Sequence, residues 1–282
     1  MLRSLPTVRA FRAARAASRT MTRFNAVVLA GDRRPDDPVA AAAGVAAKCL
    51  APVAGSPMAV RVVRALEQSE RVNTVLLCGP SDEALHRSQE LRAMVSAGRV
   101  RWMAPGATPA TSAAAALAAL SDDRPVLVTT GDHALLRPEM VRHFLDRAAA
   151  LGGDIAVALA PHAVVQSAYP RTRRTVLKFR DGHYCGCNLF AFLSPRGREM
   201  ARIWQRVEAQ RKQPIRVIGL VGWSAVALYA LGLLTLAGAV RRLSARAGVG
   251  AGVVTMPFAE AAIDVDTVAD LELVRTIAAR TA

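Results

Sequence analysis

A glycine and a lysine that share one loop are the first sign of chemistry in this chain. An apolar run at 24–30 ends at Gly31, and Lys48 follows later in the same loop. Glycine at the end of a buried strand lets backbone N–H groups approach a ligand closely, and a lysine supplies a point charge to phosphate. The pattern therefore indicates phosphate chemistry rather than packing alone.

Strand-length apolar runs alternate with longer segments of helical period along most of the chain. Strands are predicted at 26–30, 74–78, 126–130, 155–160, 188–192, 252–257 and 262–267. Helices are predicted at 58–68, 81–96, 110–120, 138–151 and 195–211, with a closing helix that ends at 279. The alternation predicts a three-layer α/β fold, in which helices cover both faces of a mostly parallel sheet. Ligands bind such sheets at the carboxyl ends of the strands.

The order of motifs resembles that of the MobA-like NTP transferases and the sugar-phosphate nucleotidylyltransferases. The matching residues are Leu29-Ala30-Gly31, then Lys48-x-Leu50-x-Pro52-Val53-x-Gly55-x-Pro57-Met58, then the segments 126–136 and 263–271. The resemblance implies a Rossmann-like, GT-A-like fold, in which the backbone of Leu29, Ala30 and Gly31 binds base and phosphate. It also implies that Lys48 neutralises the triphosphate and that Asp132 holds Mg²⁺, which makes these two the catalytic residues.

The loop after Gly31 departs from the family pattern. The usual second glycine and the arginine after it are replaced by the sequence DRRPDDP at 32–38. We expect Arg33 or Arg34 to stand in for that arginine. Thr111 and Ser112 are the remaining candidates on the nucleotide side, where they contact base or ribose, or else cap the helix predicted at 110–120.

Three aspartates could form a metal site. Asp132 follows a strand of apolar and threonine residues, and Asp264 and Asp266 alternate along a predicted strand, so both point to one face. Mg²⁺ prefers one or two carboxylates together with phosphate oxygens. In the alternative, Asp132 caps a turn or helix before Pro138, and Asp266 caps the closing helix. Asp264 therefore ranks above Asp266 as a ligand.

The acceptor side is expected in the region 162–250. A basic cluster there contains Arg171, Arg173, Arg174 and Lys178, of which Arg173 and Lys178 are the chosen candidates. The family resemblance adds Asn188. In the alternative, the cluster is a solvated loop and Asn188 a turn residue.

Composition limits the partners and the compartment. The 282 residues carry a formal charge of +15, which favours anionic partners such as an NTP and a small anionic acceptor. A specific nucleic-acid role is disfavoured, because aromatic residues do not interleave the basic ones. The four cysteines show neither zinc spacing nor disulfide density, which indicates a reducing, cytoplasmic setting.

The chain divides into a basic tail at 1–22 and one catalytic domain at 23–282. The tail carries arginines and no acidic residue, and we expect it to be disordered, with a targeting presequence or membrane-surface arm as the alternative. Within the domain, the segment 217–240 has no charged residue and is long enough to cross a bilayer. A crossing would separate Asp264 and Asp266 from Gly31, so a buried helical pair or an interfacial hairpin with peripheral membrane contact is expected instead.

The resemblance implies attack by an acceptor phosphate, or less often a hydroxyl, on the α-phosphorus of an NTP, with Mg²⁺ as cofactor and pyrophosphate as leaving group. Two other functions stay open at this point. One is a GT-A glycosyltransferase that uses residues 264–266 as an Asp-x-Asp motif. The other is a catalytically weakened protein that binds nucleotide or associates with a membrane.

Overall fold

The computed structural model describes residues 22–32, 34, 36–121, 123–209 and 222–281. The predicted basic tail at 1–22 therefore lies outside the described residues, except for Thr22. The strands are β1 (Phe24–Leu29), β2 (Pro52–Val53), β3 (Ser56–Pro57), β4 (Val72–Cys78), β5 (Val100–Met103), β6 (Val126–Thr130), β7 (Ile155–Pro161), β8 (Val176–Phe179), β9 (Gly182–Phe192) and β10 (Ala251–Thr255).

Helices connect most of these strands. They are α1 (Pro38–Ala43), α2 (Met58–Gln68), α3 (Asp82–Arg87), α4 (Gln89–Ser96), α5 (Pro109–Ala118), α6 (Pro138–Leu151), α7 (His162–Ala168), α8 (Pro195–Arg198), α9 (Met200–Ala209), α10 (Trp223–Ala230), α11 (Leu236–Ala247) and α12 (Val268–Thr281). Short 3₁₀ turns lie at Lys48–Leu50 and Ala259–Ala262. The predictions for α2 and α6 match the observed bounds, because both helices bury a continuous apolar stripe.

The described residues form an eight-stranded sheet in the order β10-β7-β9-β6-β1-β4-β5, in which β8 pairs with β9, and a separate two-stranded sheet of β2 and β3. Strand β1 runs parallel to both β4 and β6, which places Leu29 opposite Cys78 and Thr130. Strand β9 is antiparallel to β6 and β7. The carboxyl ends of β1, β4 and β6 therefore meet at one edge, where a ligand is expected.

Alternating residues of β1 enter two separate cores. Phe24, Ala26 and Val28 face a core shared with α2 and α6, whereas Val27 faces a smaller core that includes residues of α5. All of them are buried. The sheet is thus covered on both faces, which confirms the predicted three-layer α/β fold.

Two predicted helices are interrupted. The helix predicted at 81–96 breaks at Ser88, whose hydroxyl accepts a hydrogen bond from Leu91 N and caps α4. The helix predicted at 195–211 is divided into α8 and α9, and residues 210–211 lie outside the described residues.

The predicted cap of α5 is also wrong. Thr108 is the N-cap, and its hydroxyl accepts from Thr111 N while the Thr111 hydroxyl accepts from Thr108 N. Pro109 occupies the first helical position, where its missing N–H costs nothing. Ser112 lies inside the helix and is buried, and its hydroxyl accepts a hydrogen bond from Gly106 N instead of capping the helix.

The strand predicted at 262–267 is absent from the described structure. A 3₁₀ turn ends at Ala262, and residues 263–266 form a loop that is held to the rest of the protein by Val265. Val265 N donates to Asp132 O at 3.3 Å, and the Val265 side chain is fully buried. Asp264 and Asp266 flank this anchor, so they do not share a sheet face.

The apolar segment predicted at 217–240 is partly described. Residues 217–221 lie outside the described part of the chain, and the remainder forms α10, a turn and the start of α11. None of the described helices combines the length and the apolar character that crossing a bilayer requires. The helices are not buried either, since Trp223 is 62% exposed and Leu231 is 70% exposed.

Candidate active site

A cavity of about 490 Å³ opens at the carboxyl ends of β1 and β6. Its walls come from the loop after β1, the loop before α5, the end of β6, the bend in β9 and the loop before α12. The lining includes Leu29, Ala30, Gly31, Asp32, Arg34, Lys48, Gly106, Thr108, Ser112, Asp132, Asn188, Phe190, Trp204, Asp264 and Asp266.

Lys48 and Asp132 form an ion pair at the centre of this cavity. Lys48 Nζ lies 2.5 Å from Asp132 Oδ2, donates to Val265 O at 3.0 Å and lies 3.6 Å from Asp266 Oδ1. Burial is the largest single effect and would lower the pKa of Lys48, but the charge of Asp132, its hydrogen bond and the charge of Asp266 together raise that pKa. Burial would raise the pKa of Asp132, and Lys48 lowers it instead. Both groups are thus held charged.

Asp32 fixes the backbone of Lys48. Its carboxylate accepts hydrogen bonds from Lys48 N, at 3.1 Å to Oδ1 and 3.2 Å to Oδ2. Burial raises the pKa of Asp32 above its ordinary value. No local pattern in the sequence indicates this role of Asp32, because its partner is a backbone amide 16 residues away.

The loop after β1 packs closely against the loop before α5 at Gly31, and this contact forms one wall of the cavity. A Cβ on Gly31 would lie 2.6 Å from Pro105 Cβ, so only glycine fits there without a shift. Gly106 N donates to Ser112 Oγ at 2.9 Å, which ties the loop before α5 to the helix. These contacts hold a narrow wall of backbone next to Gly31.

Asp132 retains an unused acceptor. Among the described residues no group donates a hydrogen bond to Oδ1, although this atom is buried. Mg²⁺ takes oxygen ligands and binds proteins through one or two carboxylates plus phosphates and water. Within the described part of the chain, no three histidine, cysteine or acidic side chains are close enough to hold an ion together. The unpartnered Oδ1 of Asp132 is nevertheless the kind of oxygen atom that Mg²⁺ takes as a ligand.

Asp264 is engaged by other side chains. Arg174 Nη1 lies 2.5 Å from its Oδ1, and Asn188 Nδ2 donates to its Oδ2 at 2.7 Å. Burial and repulsion from Asp132 and Asp266 nevertheless raise the pKa of Asp264. Asp266 has a 56% exposed side chain whose ion-pair partner is Lys48 at 3.6 Å, so it is the more accessible carboxylate. The ranking of Asp264 above Asp266 as a metal ligand stays a prediction, and accessibility alone favours Asp266.

Asp132 and Asp266 do not cap helices, although helix capping was the alternative role considered for both. The closing helix α12 is capped by Thr267, whose hydroxyl accepts from Asp270 N at 3.2 Å while Asp270 accepts from Thr267 N at 2.9 Å. The N-cap of α6 is Arg137, five residues after Asp132. Asp132 and Asp266 are therefore available to the cavity.

His133 follows Asp132 but takes no part in the polar network. It is fully buried, and among the described residues neither ring nitrogen has a hydrogen-bond partner. Burial lowers its pKa to about 4, so the ring is neutral at pH 7.

The predicted acceptor residues separate into two groups. Asn188 lines the cavity because β9 is irregular there: the register against β7 shifts, and Asn188 has a left-handed φ of 48°. Arg173 and Lys178 are exposed and do not line the cavity. Arg174, from the same basic cluster, is the arginine that turns inward. Arg34 lines the cavity, whereas Arg33 lies outside the described residues.

Two aromatic side chains form one wall of the cavity. Phe190 on β9 and Trp204 on α9 line the cavity with ring centroids 6.1 Å apart. The signal in the sequence is the alternation of Asn188 and Phe190 on one strand, which places both on the same face. Trp204 carries no comparable local signal.

Solved structures with a similar fold are transferases. A hypothetical transferase from Thermus thermophilus is 29% identical, with a TM-score of 0.73 over 89% of this chain and 100% of that one. A CMP:2-keto-3-deoxy-manno-octonic acid synthetase complexed with CTP is 14% identical, with a TM-score of 0.53 over 93% of this chain and 100% of that one. A 4-diphosphocytidyl-2C-methyl-D-erythritol synthase from Anaerococcus prevotii is 10% identical, with a TM-score of 0.54 over 91% and 96%.

A search of curated proteins found no significant match. The family model of the MobA-like NTP transferase domain matches residues 26–247, which is most of the chain. This stretch includes the Gly31 loop, Lys48, Asp132 and Asn188, all of which line the cavity. The chain therefore belongs to the MobA-like NTP transferase family, as its motifs indicated, and has the Rossmann-like nucleotidyltransferase fold.

Proposed function

We propose that the protein transfers a nucleoside monophosphate from an NTP to a small phosphorylated acceptor and releases pyrophosphate, with Mg²⁺ as cofactor. An acceptor phosphate oxygen attacks the α-phosphorus, a new P–O bond forms, and the bond to the bridging oxygen of pyrophosphate breaks. The nucleophile is already ionised at pH 7, so no general base is required. The single observation that carries this proposal is the Lys48–Asp132 pair at the ligand edge of the sheet.

Lys48 and the Gly31 loop would bind the triphosphate. The Lys48 ammonium is held charged and aimed into the cavity by Asp132 and Val265 O. The exposed Arg34 adds a second cation to the same cavity. The base would lie against the backbone of 29–31 and the loop that Ser112 fixes. Fixed cations of this kind stabilise the charge that develops on a departing pyrophosphate.

Asp132 and Asp266 are the carboxylates that would hold Mg²⁺. The support is the unused Oδ1 of Asp132 and the exposed carboxylate of Asp266, with Asp264 as a third residue only after it leaves Arg174. When bound, the ion would neutralise and align phosphate oxygens. Lys48 already contacts both Asp132 and Asp266, so it holds the two carboxylates near each other before a nucleotide arrives.

Asn188 is the acceptor-side residue that the geometry supports best. Its side-chain amide is oriented by Asp264, and its backbone lies where β9 bends towards the cavity. Arg174 bridges Asp264 and Asp270 and so keeps that carboxylate in place. Arg173 and Lys178 would contact only an acceptor that extends beyond the opening of the cavity.

Glycosyl transfer is less well supported. A catalytic Asp-x-Asp motif needs carboxylates free for a metal, and Asp264 is bound to Arg174 and Asn188. Family membership and the nucleotidyltransferase neighbours also favour nucleotidyl transfer.

The test is pyrophosphate release from each of the four NTPs, with Mg²⁺ and a panel of phosphorylated acceptors. We expect release with at least one pair, and a loss of at least about 100-fold in Lys48→Ala and in Asp132→Ala. Matched controls are Arg92→Ala and Asp82→Ala, which remove the same charges from exposed helices away from the cavity. Equal turnover in Lys48→Ala and Arg92→Ala would contradict the assignment.

A further inference from the structure

Exposed large apolar side chains gather on one helical hairpin. The hairpin consists of α10, the turn 231–235 and α11. Its exposed members are Trp223 at 62%, Tyr229 at 39%, Leu231 at 70%, Leu233 at 52% and Leu243 at 46%. Elsewhere in the described chain, only Leu151 and Leu177 are comparably exposed. A cluster of this kind marks an interaction surface.

The outward face of α10 is apolar along its length. The exposed positions Trp223, Ala227 and Leu231 recur every four residues, so they form one stripe. On the opposite side, Ala225 is buried. A surface helix in contact with water alone would carry polar residues on such a stripe.

The hairpin is held in place by the edge strand β8 and by the turn that follows it. Lys178 N donates to Tyr229 Oη at 3.1 Å, and Arg180 N donates to Leu234 O at 2.9 Å. Leu234 is 7% exposed, so it anchors the turn while Leu231 and Leu233 project outwards. The exposure of these two leucines thus follows from a fixed backbone.

Positive charge accompanies the apolar stripe. Residues 222–259 contain three arginines and neither aspartate nor glutamate. Arg241 is exposed, and Arg242 reaches back to Ser224 Oγ at 3.4 Å, beside Trp223. Asp181 accepts from Leu236 N at 2.8 Å, next to the N-cap residue Thr235, and so brings a carboxylate to the start of α11.

We propose that this hairpin docks the protein on an anionic lipid bilayer. Trp223, Leu231 and Leu233 would enter the headgroup boundary, and Arg241 and Arg242 would contact lipid phosphates. Tryptophan and arginine on a short apolar surface are typical of helices that lie in the membrane interface. A second copy of this chain is disfavoured as the occupant, because a twofold contact would place like-charged arginines near one another.

The first experiment is flotation of the full-length protein with vesicles of phosphatidylcholine alone or with 30 mol% phosphatidylglycerol. We expect flotation with the anionic vesicles and at least about tenfold weaker binding to the neutral ones. The tryptophan fluorescence should shift to the blue on anionic vesicles, and Trp223→Phe should remove most of that shift. Absence of flotation at low salt would overturn the proposal.

Paired variants separate docking from simple charge attraction. Leu231→Ser/Leu233→Ser and Arg241→Glu/Arg242→Glu should each weaken binding at least about tenfold. The control Arg92→Glu/Arg101→Glu makes the same charge change on α4 and β5, at the opposite edge of the sheet. An equal loss in this control, or unchanged binding in the leucine variant, would refute the proposal, because the net charge alone would then explain binding.

Self-association is the remaining outcome. If sedimentation shows a dimer that Leu231→Ser/Leu233→Ser converts to monomer, and the wild type does not float, the hairpin is an interface between copies and the membrane proposal is wrong. Thermal unfolding of each variant within about 2 °C of the wild type would show that the loss of binding is not a loss of fold.

Discussion

Replacing Lys48 by methionine should destabilise the protein through the charge that it leaves behind. The ammonium and the Asp132 carboxylate are 2.5 Å apart, with side chains 16% and 14% exposed. At an effective dielectric constant of about 20, their attraction is about 6–7 kcal/mol, much of which offsets the cost of removing both groups from water. Lys48→Met would leave a nearly buried carboxylate without its cation, and we expect a loss of about 2–3 kcal/mol.

The double variant Lys48→Met/Asp132→Asn tests the cause. Removing both charges eliminates the stranded carboxylate, so this variant should be more stable than Lys48→Met alone, with a coupling energy of about 2 kcal/mol. In thermal unfolding at pH 7, Lys48→Met should lower the Tm by about 4–8 °C, and the second substitution should recover about half of the loss. Additive losses in the double variant would refute the coupling.

The pH dependence follows from the two pKa shifts. The pKa of Asp132 is lowered from 3.8, so its contribution is present above pH 3.8 and is lost as pH falls through the folded value. The pKa of Lys48 is raised from 10.5, so its contribution is present below pH 10.5 and is lost as pH rises through the folded value. The stability difference between wild type and double variant should therefore be constant at neutral pH and shrink at both extremes.

Three further substitutions test the walls of the cavity. Gly31→Ala should weaken NTP binding at least about tenfold in calorimetry, because its Cβ would overlap Pro105; unchanged affinity would show that the loop can yield. Ser112→Ala should raise the Kd for NTP several-fold by freeing Gly106 N, and an equal Kd would remove Ser112 from the site. Asn188→Gly should be about 1 kcal/mol more stable than Asn188→Ala in urea unfolding, because φ is 48° there; the reverse order would contradict the strain.

The parts of the site that the sequence reveals are those set by neighbours in the chain. Asp132 follows β6 after one glycine. Lys48 lies in the segment between β1 and β2, although α1 interrupts what the sequence predicted to be one loop. Edges of a parallel sheet collect such residues, because all of these strands end on one side. No long-range information was needed to place them.

Residues whose partners lie far along the chain were not predictable in this way. Arg174 pairs with Asp264 across 90 residues, and nothing local distinguishes it from Arg173, which points outwards. Which of the two arginines turns inward depends on the backbone conformation just before β8. Thr108 is different, since threonine followed by Pro109 is a helix-start signal that the sequence did contain.

The contact between Lys48 and Val265 O also determines when, during folding, the cavity is completed. Strand β10 ends at Thr255, so the sheet is complete before the chain reaches the loop that contacts Lys48 and Asp132. That contact spans 217 residues, and pairings of such long range form late in folding. A chain that ends after β10, through truncation or incomplete synthesis, would therefore contain every strand and still lack the loop that contacts Lys48 and Asp132.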